Sequence, residues 1–307
     1  MVATTLESND NWPTDLPKLV VVLGPTASGK SDLAMQLAQK YNGELICADS
    51  RTVYRGMDIG TAKPSDEDQT AVRHHLLDIV DPGEAFSAAE FKKLAEIAIR
   101  DISARGKLPI MVGGSGLYID AVLYDYNFSK SVDPAERSRL DILTDEELVR
   151  EFNEDYGDDA IELVARHRNN RRRLQRYLEM KEINNHRNIN IRPQTLVLGI
   201  TLNKSIIQER ITQRAIKMLD EGIIKEVETI GNTYGWQSEA MTGNIYRIFS
   251  EVVNNQKNID DALAKFIRSD MKLVKKQLTW FKRNKNIHWL ENPSAADDLV
   301  TDFLMRA

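Results

Sequence analysis

The chain has a single cysteine, Cys47, so no disulfide can form within it. A reducing compartment fits that usage. Cys47 lies in the apolar run Leu45-Ile46-Cys47-Ala48 and reads as a small buried side chain rather than a reactive thiol. No stretch approaches the ~18 consecutive apolar residues of a membrane span. The first 17 residues, MVATTLESNDNWPTDLP, lack the apolar stretch of a secretory signal and read as a disordered tail. A cytoplasmic protein with no membrane partner is expected. Positive charge is not in excess: 41 Lys and Arg against 46 Asp and Glu leave a net charge of −5. Taken globally this argues against nucleic-acid binding. Phosphates, however, feel only charges within about a Debye length, ~10 Å, so local clusters decide.

What is present suits a globular protein with an ample core: 307 residues, 42% hydrophobic and 28% charged. Residues 18–24 (KLVVVLG) are apolar, β-branched and few, as a strand buried on both faces should be. Residues 31–41 place Leu33, Ala34, Leu37 and Ala38 at helical spacing. Strand character returns at 44–50, a helix is predicted over 87–105, and 107–114 reads as a third buried strand. Strand and helix alternating in this way is the pattern of an α/β fold with a parallel sheet. From about 125 to 189 the chain is polar, charge-dense and helical in pieces (133–143, 145–156, 158–167, 171–187). This reads as a helical insertion into a core formed by 18–124 and 190–307. Strands are expected at 195–202 and 286–291, and amphipathic helices over 204–230 and 260–285.

The sharpest motif is GPTASGKS, Gly24, Pro25, Thr26, Ala27, Ser28, Gly29, Lys30 and Ser31. It matches G-x-x-x-x-G-K-[ST] between a predicted strand and a predicted helix, the context that a P-loop requires. Backbone N–H groups at a helix N-terminus would hold phosphate oxygens, Lys30 would bring a point charge, and the Ser31 hydroxyl would sit where Mg²⁺ binds. Such a nest recognises a diphosphate or triphosphate and does not read a base. The usual second strand ending in Asp is absent, because IMVGG (110–114) ends in glycines. Asp49, which ends the 44–50 strand, remains either a residue that orients Mg²⁺ or a general base at the sheet edge where open α/β sheets bind ligands.

Six segments together carry a resemblance: GPTASGKS, ADSRTVYRGMDIGTAKP (48–64), HHLLDIVDP (74–82), FSAAEF (86–91), PIMVGGSGLY (109–118) and KKQLTWFKRN (275–284). They resemble the tRNA dimethylallyltransferases, over roughly residues 18–290. The resemblance implies a P-loop NTPase-like core that takes dimethylallyl diphosphate in place of a nucleotide. It implies a helical insertion that closes on a tRNA anticodon stem-loop, transfer to N6 of the adenosine just 3′ of the anticodon (position 37), and a monomer. It makes Asp49 the base, with Thr26 and Lys30 on the diphosphate. Ser50, Arg51 and Thr52 follow Asp49 and are expected to face the tRNA. Ser115 and Arg137 match positions implied to contact the target nucleotide or the diphosphate. The family often reads T-G-x-G-Y-[KR] where this chain has MTGNIYRI (241–248). Gly243, Tyr246 and Arg247 are kept as tRNA contacts, but Ile245 stands where glycine is usual.

RHRNNRRRLQR (166–176) holds six arginines and no acid, and a helix there puts Arg172 and Arg176 on one face with Arg173 beside them. Arg173 is expected at the diphosphate and the group at tRNA phosphates. Residues 265–285 carry eight Lys or Arg and one acid. An acidic chain that gathers its positive charge into two segments is expected to use them on phosphates. His74 and His75 lack the convergent partners of a metal site and are expected to be structural. Trp280 is expected to be an anchor, and Tyr54 and Met57 belong either to a prenyl pocket or to the core. A small-molecule kinase, a transferase acting on free adenine nucleotides, and a non-enzymatic nucleotide switch or RNA-binding module are the competing readings.

Overall fold

The strand Leu19–Leu23 (β1) is fully buried, and alternation sends its side chains to two different cores. Leu19, Val21 and Leu23 join one apolar cluster with Phe91, Ile99 and Ile119, while Val20 and Val22 join another with Leu33, Leu37 and Val300. A strand covered on both faces is the signature of a parallel sheet. In the computed structural model, which describes residues 12–128, 134–157, 171–180 and 187–306, that sheet has six strands. The others are Gly43–Ala48 (β2), His74–His75 (β3), Leu108–Gly113 (β4), Thr195–Ile200 (β5) and Ile287–Leu290 (β6). Their order is β3-β2-β4-β1-β5-β6 and every pairing is parallel. Because β4 lies between β1 and β2, the loops after all three strands meet at one carboxyl edge, where open sheets of this class take ligands.

Helices fill both faces: Lys30–Lys40 (α1), Asp66–Ala71 (α2), Ala88–Ala104 (α3) and Gly116–Leu123 (α4) come first. Ser87 caps α3 through a capping box with Glu90. The chain divides into two compact units, Met1–Asp125 with Asn188–Ala307, and Tyr126–Arg187. The smaller unit contains Pro134–Ile142 (α5), Asp145–Tyr156 (α6) and Arg171–Met180 (α7) around Leu140, Leu148, Phe152, Leu174 and Leu178. The larger unit continues with Lys204–Asp220 (α8), Ile223–Tyr234 (α9), a short 3₁₀ turn Ala240–Thr242, Asn244–Val253 (α10), Ile259–Phe281 (α11) and Ala295–Met305 (α12).

Two expectations need correction. The helix expected over 204–230 is two helices, broken at Glu221-Gly222, where Gly222 has φ +96° and Cβ-bearing residues are strained. The basic helix starts at Ile259, capped by Asn258, and stops at Phe281. Of the tail expected over 1–17, residues 1–11 lie outside the described residues, and the Trp12 indole donates to the Asn190 carbonyl at 3.4 Å. The helical piece expected at 158–167 and the end of the 171–187 helix also lie outside them. Among the described residues no helix is long and apolar enough to cross a membrane.

Candidate functional site

The loop between β1 and α1 has two left-handed residues, Ala27 (φ +60°) and Gly29 (φ +88°), on either side of Ser28. That alternation forms a backbone nest for an anion at the positive end of α1. A cavity of about 510 Å³ opens over it, a size suited to a small ligand. Thr26, Ala27, Ser28, Gly29, Lys30 and Ser31 line the cavity; Gly24 and Pro25 do not. The Lys30 ammonium donates to the Pro25 carbonyl at 3.2 Å. Burial drives the Lys30 pKa down to about 8, against the pull of Asp49 and with a smaller push from Arg214. The Ser28 hydroxyl and Arg214 Nε are buried with no hydrogen-bond partner in the protein, which suits a cavity built to receive an acceptor-rich anion.

Asp49 follows β2 and lines the same cavity as Lys30. The Arg51 N–H donates to its Oδ1 at 2.8 Å, which orients the carboxylate. Arg51 in turn donates to the Glu239 carbonyl at 2.7 Å and to the Thr242 hydroxyl at 3.0 Å, tying the Asp49 loop to the 3₁₀ turn. The Ser50 N–H donates to the Ser115 hydroxyl at 3.1 Å. Ser115, at the start of α4, therefore braces the Asp49 loop. Thr52 is buried nearby with its hydroxyl unpartnered within the protein.

Of the next stretch, Gly60, Thr61, Ala62 and Lys63 form another wall, and the stretch is held by a residue that motif reading did not single out. Glu226 of α9 accepts from the N–H groups of Asp58, Ile59 and Gly60 at 2.9, 2.8 and 2.9 Å, and from the Tyr246 hydroxyl at 2.6 Å. Tyr246 is 1% exposed, and burial together with the Glu226 carboxylate pushes its phenol pKa well above the ordinary range. The ring lies against Gly60, where a Cβ would come within 2.7 Å of it, so only glycine fits. Lys63, its side chain 4% exposed, bridges Asp58 and Asp78 at 2.5 Å each and donates to the Tyr54 carbonyl.

Helices α8, α10 and α11 close the far side. Arg214 donates to the Thr26 hydroxyl at 2.9 Å. Gln277 accepts from the Thr26 N–H and donates to the Gly114 carbonyl, both at 3.0 Å, and so spans the loops after β1 and β4. Asp270 accepts from the Asn244 amide at 2.6 Å, and burial raises its pKa. Gln277 lies within the KKQLTWFKRN segment. Arg214, Glu226 and Asp270 sit among other charged residues in amphipathic helices, and nothing in a one-dimensional pattern marks them out.

The remaining expected residues divide. Gly243 and Tyr246 line the cavity; Arg247, one residue on, is exposed and does not. Ile245, where glycine was expected, is buried against the cavity wall. Within the smaller unit Arg137 and Arg176 both reach Glu179, at 2.9 and 3.4 Å, and Arg171 closes the α5–α6 turn through the carbonyls of Leu140, Asp141 and Leu143. The side chains of Arg172 and Arg173 lie outside the described residues. Trp280 is an anchor: its indole donates to Asp120 at 2.8 Å and its ring lies over Gly116. Tyr54 and Met57 are 1% and 0% exposed in the core and do not line the cavity, which settles them as packing residues. His75 bonds Glu44 and His74 the Val72 carbonyl. Among the described residues no group of three or more His, Cys, Asp or Glu converges on a metal position.

Residues 52–284 match the family described as IPP transferase. A tRNA dimethylallyltransferase of Staphylococcus aureus (strain JH9) is 38% identical over 302 residues, covering 93% of this chain and 96% of the relative. One from Staphylococcus carnosus is 36% identical over 305 residues, with 93% and 95% covered. Among solved structures, the full-length tRNA isopentenylpyrophosphate transferase of Bacillus halodurans superposes with a TM-score of 0.71 at 32% identity, covering 94% of this chain and 96% of that one. A eukaryotic dimethylallyltransferase acting on tRNA superposes at 0.78 and, at 23% identity, shares the fold.

Proposed function

This chain belongs to the IPP transferase family of tRNA dimethylallyltransferases, and from that membership we propose that its cavity transfers a dimethylallyl group from dimethylallyl diphosphate to N6 of the adenosine 3′ of a tRNA anticodon, position 37. The observation that carries the proposal is one cavity holding both a backbone anion nest with Lys30 and, across from it, the Asp49 carboxylate.

The chemistry needs those two parts. The adenine N6 lone pair is delocalised into the ring, so the amine attacks poorly unless its proton is removed as the new bond forms. N6 attacks C1 of the allylic chain, the C1–O bond breaks, and diphosphate leaves with the electron pair. The N6 proton passes to the Asp49 carboxylate. The loop amides, Lys30 and Arg214 meet the growing charge on the leaving group, where each well-aimed donor contributes ~3 kcal/mol. The Arg51 N–H, through Oδ1, orients the carboxylate that takes the proton. The adenine must leave its stack to enter the cavity, which costs least in a single-stranded loop.

The donor set fits Mg²⁺. Ser31 offers a hydroxyl beside the nest, too little to cage the ion but suited to one carried largely by diphosphate oxygens and water. The ion would supply charge neutralisation of the diphosphate. The same reading has the enzyme acting as a cytoplasmic monomer.

The test is to incubate the protein with labelled dimethylallyl diphosphate, Mg²⁺ and either bulk tRNA or AMP. Label is expected in tRNA and absent from AMP; label in AMP alone would refute tRNA as the acceptor.

A further inference from the structure

We propose that Arg51 is a positioning residue for Asp49 rather than a contact to tRNA phosphate: its guanidinium clamps the Asp49 loop onto the segment 239–246, and the clamp sets the direction of the carboxylate that takes the N6 proton. The inference rests on the reading that Asp49 is the base.

By resemblance Arg51 is expected to face the tRNA, yet both of its terminal nitrogens are engaged within the protein. Nη1 donates to the Glu239 carbonyl at 2.7 Å and Nη2 to the Thr242 hydroxyl at 3.0 Å. The Thr242 hydroxyl donates in turn to the same Glu239 carbonyl at 2.7 Å. These three bonds close a ring that suits the planar fork of an arginine and not the single point of a lysine ammonium. The backbone of the same residue is fixed as well. Its N–H donates to Asp49 Oδ1 at 2.8 Å, and its carbonyl accepts at 3.2 Å from the N–H of the buried Tyr54. The 50–51 peptide, which aims that N–H at Asp49, is therefore tied to a side chain whose partners lie 188 and 191 positions away.

The other side of the clamp is the wall that carries Tyr246. The 3₁₀ turn runs into α10 through Gly243, where an added Cβ would lie 3.5 Å from Arg51 Cδ, so the arginine stem passes directly beside that glycine. Three residues on, the Tyr246 hydroxyl meets Glu226, which holds the N–H groups of Ile59 and Gly60. Segment 239–246 therefore grips the chain after β2 at two places, directly at Arg51 and through Glu226 at Ile59 and Gly60. Asp49 stands just ahead of the first. The ring is exposed, so its bonds contribute little to stability. What it fixes is a direction, and a misplacement of about 1 Å at a reacting group can cost on the order of 100-fold in rate.

The experiment is a double-mutant cycle on the full chain: Arg51→Ala, Asp49→Ala and both together. It is read by single-turnover transfer from labelled dimethylallyl diphosphate to saturating tRNA with Mg²⁺, and tRNA affinity is measured separately over a range of salt. Arg51→Ala should slow transfer roughly 10- to 100-fold, with tRNA affinity and its salt dependence at wild-type values. In the Asp49→Ala background the same change should cost less than about twofold, because a residue that acts through Asp49 then has nothing left to position. Arg51→Lys keeps the charge and loses the fork, and should stay at least about fivefold slower than wild type. If Arg51→Ala does not fold, Thr242→Val carries the test. It removes one acceptor of the ring, leaves the charge, and should slow transfer about threefold or more with tRNA affinity unchanged. Weaker tRNA binding with a salt slope smaller by about one would make Arg51 a phosphate contact and overturn the clamp. Full recovery by lysine, losses that multiply in the double variant, or wild-type transfer in a folded Arg51→Ala would overturn it too. Asp49→Ala transferring at the wild-type rate is a separate failure: it would remove the base, and the clamp with it.

Discussion

Lys30 offers the most discriminating test of the anion nest, because its burial moves its titration into an accessible range. The ammonium is held at a pKa of about 8 by desolvation, far below the ordinary lysine value of 10.5. If diphosphate binds only the protonated form, affinity tracks the protonated fraction of the free protein. That fraction is about nine-tenths at pH 7 and about one-tenth at pH 9, so binding should weaken about tenfold across that interval. An ordinary lysine would lose only a few per cent. The diphosphate titrates too, so the measurement is a comparison: isothermal titration of inorganic diphosphate at pH 7, 8 and 9 into wild type and into Lys30→Met. The variant reports the ligand's own ionisation, and the difference between the two profiles belongs to Lys30. Identical profiles would refute the assignment of Lys30 to the diphosphate. The same shift has a sign for stability. The unfolded chain binds the Lys30 proton more tightly than the folded one, so between about pH 8 and 10.5 the unfolded state holds more protons and stability rises with pH. Below pH 8 the buried charge is fully destabilising. Lys30→Met should therefore raise the melting temperature of the ligand-free protein at pH 7, by on the order of 1–3 kcal/mol in stability, with the gain fading as pH rises toward 10.5.

Other outcomes follow from the same geometry. Asp49→Ala should lower turnover at least ~100-fold with tRNA affinity unchanged, as expected when a general base is removed; near-normal turnover would exclude it as the base. Glu226→Ala strands the part-buried N–H groups of Ile59 and Gly60 and the buried Tyr246 hydroxyl, so urea titration should show a loss of ~2–4 kcal/mol, and a loss below ~0.5 kcal/mol would mean that the 60–63 wall stands without it. Tyr246→Phe removes only one of those bonds and should cost ~1 kcal/mol. Binding of tRNA should weaken steeply between 50 and 200 mM salt if the basic segments meet phosphates, and a flat response would show that they do not.

The fold and half of the site were legible because they are written in local patterns. β1 is a short β-branched run between punctuating residues, and the loop after it needs glycine where φ is +88°. Those constraints act on neighbouring residues and therefore leave a mark along the chain. Asp49 was visible for the same reason, as a carboxylate at the end of a buried strand. The break at Gly222 was not, because amphipathic periodicity runs through it on both sides and one glycine inside a helical pattern does not announce a stop.

What only the tertiary structure decided is the company that Lys30 and Asp49 keep. Arg214 comes to Thr26 across 188 positions, Gln277 across 251, and Glu226 reaches its loop from 166 to 168 positions away. No local propensity selects a charged residue on an exposed-looking helix for such a task; the choice is made when helices dock and a buried donor or acceptor must find its partner. The sequence alone determined that a glycine-bearing phosphate-type loop follows β1 and that a carboxylate follows β2. Docking determined which cation comes to that loop and which side chain holds the wall formed by residues 60–63.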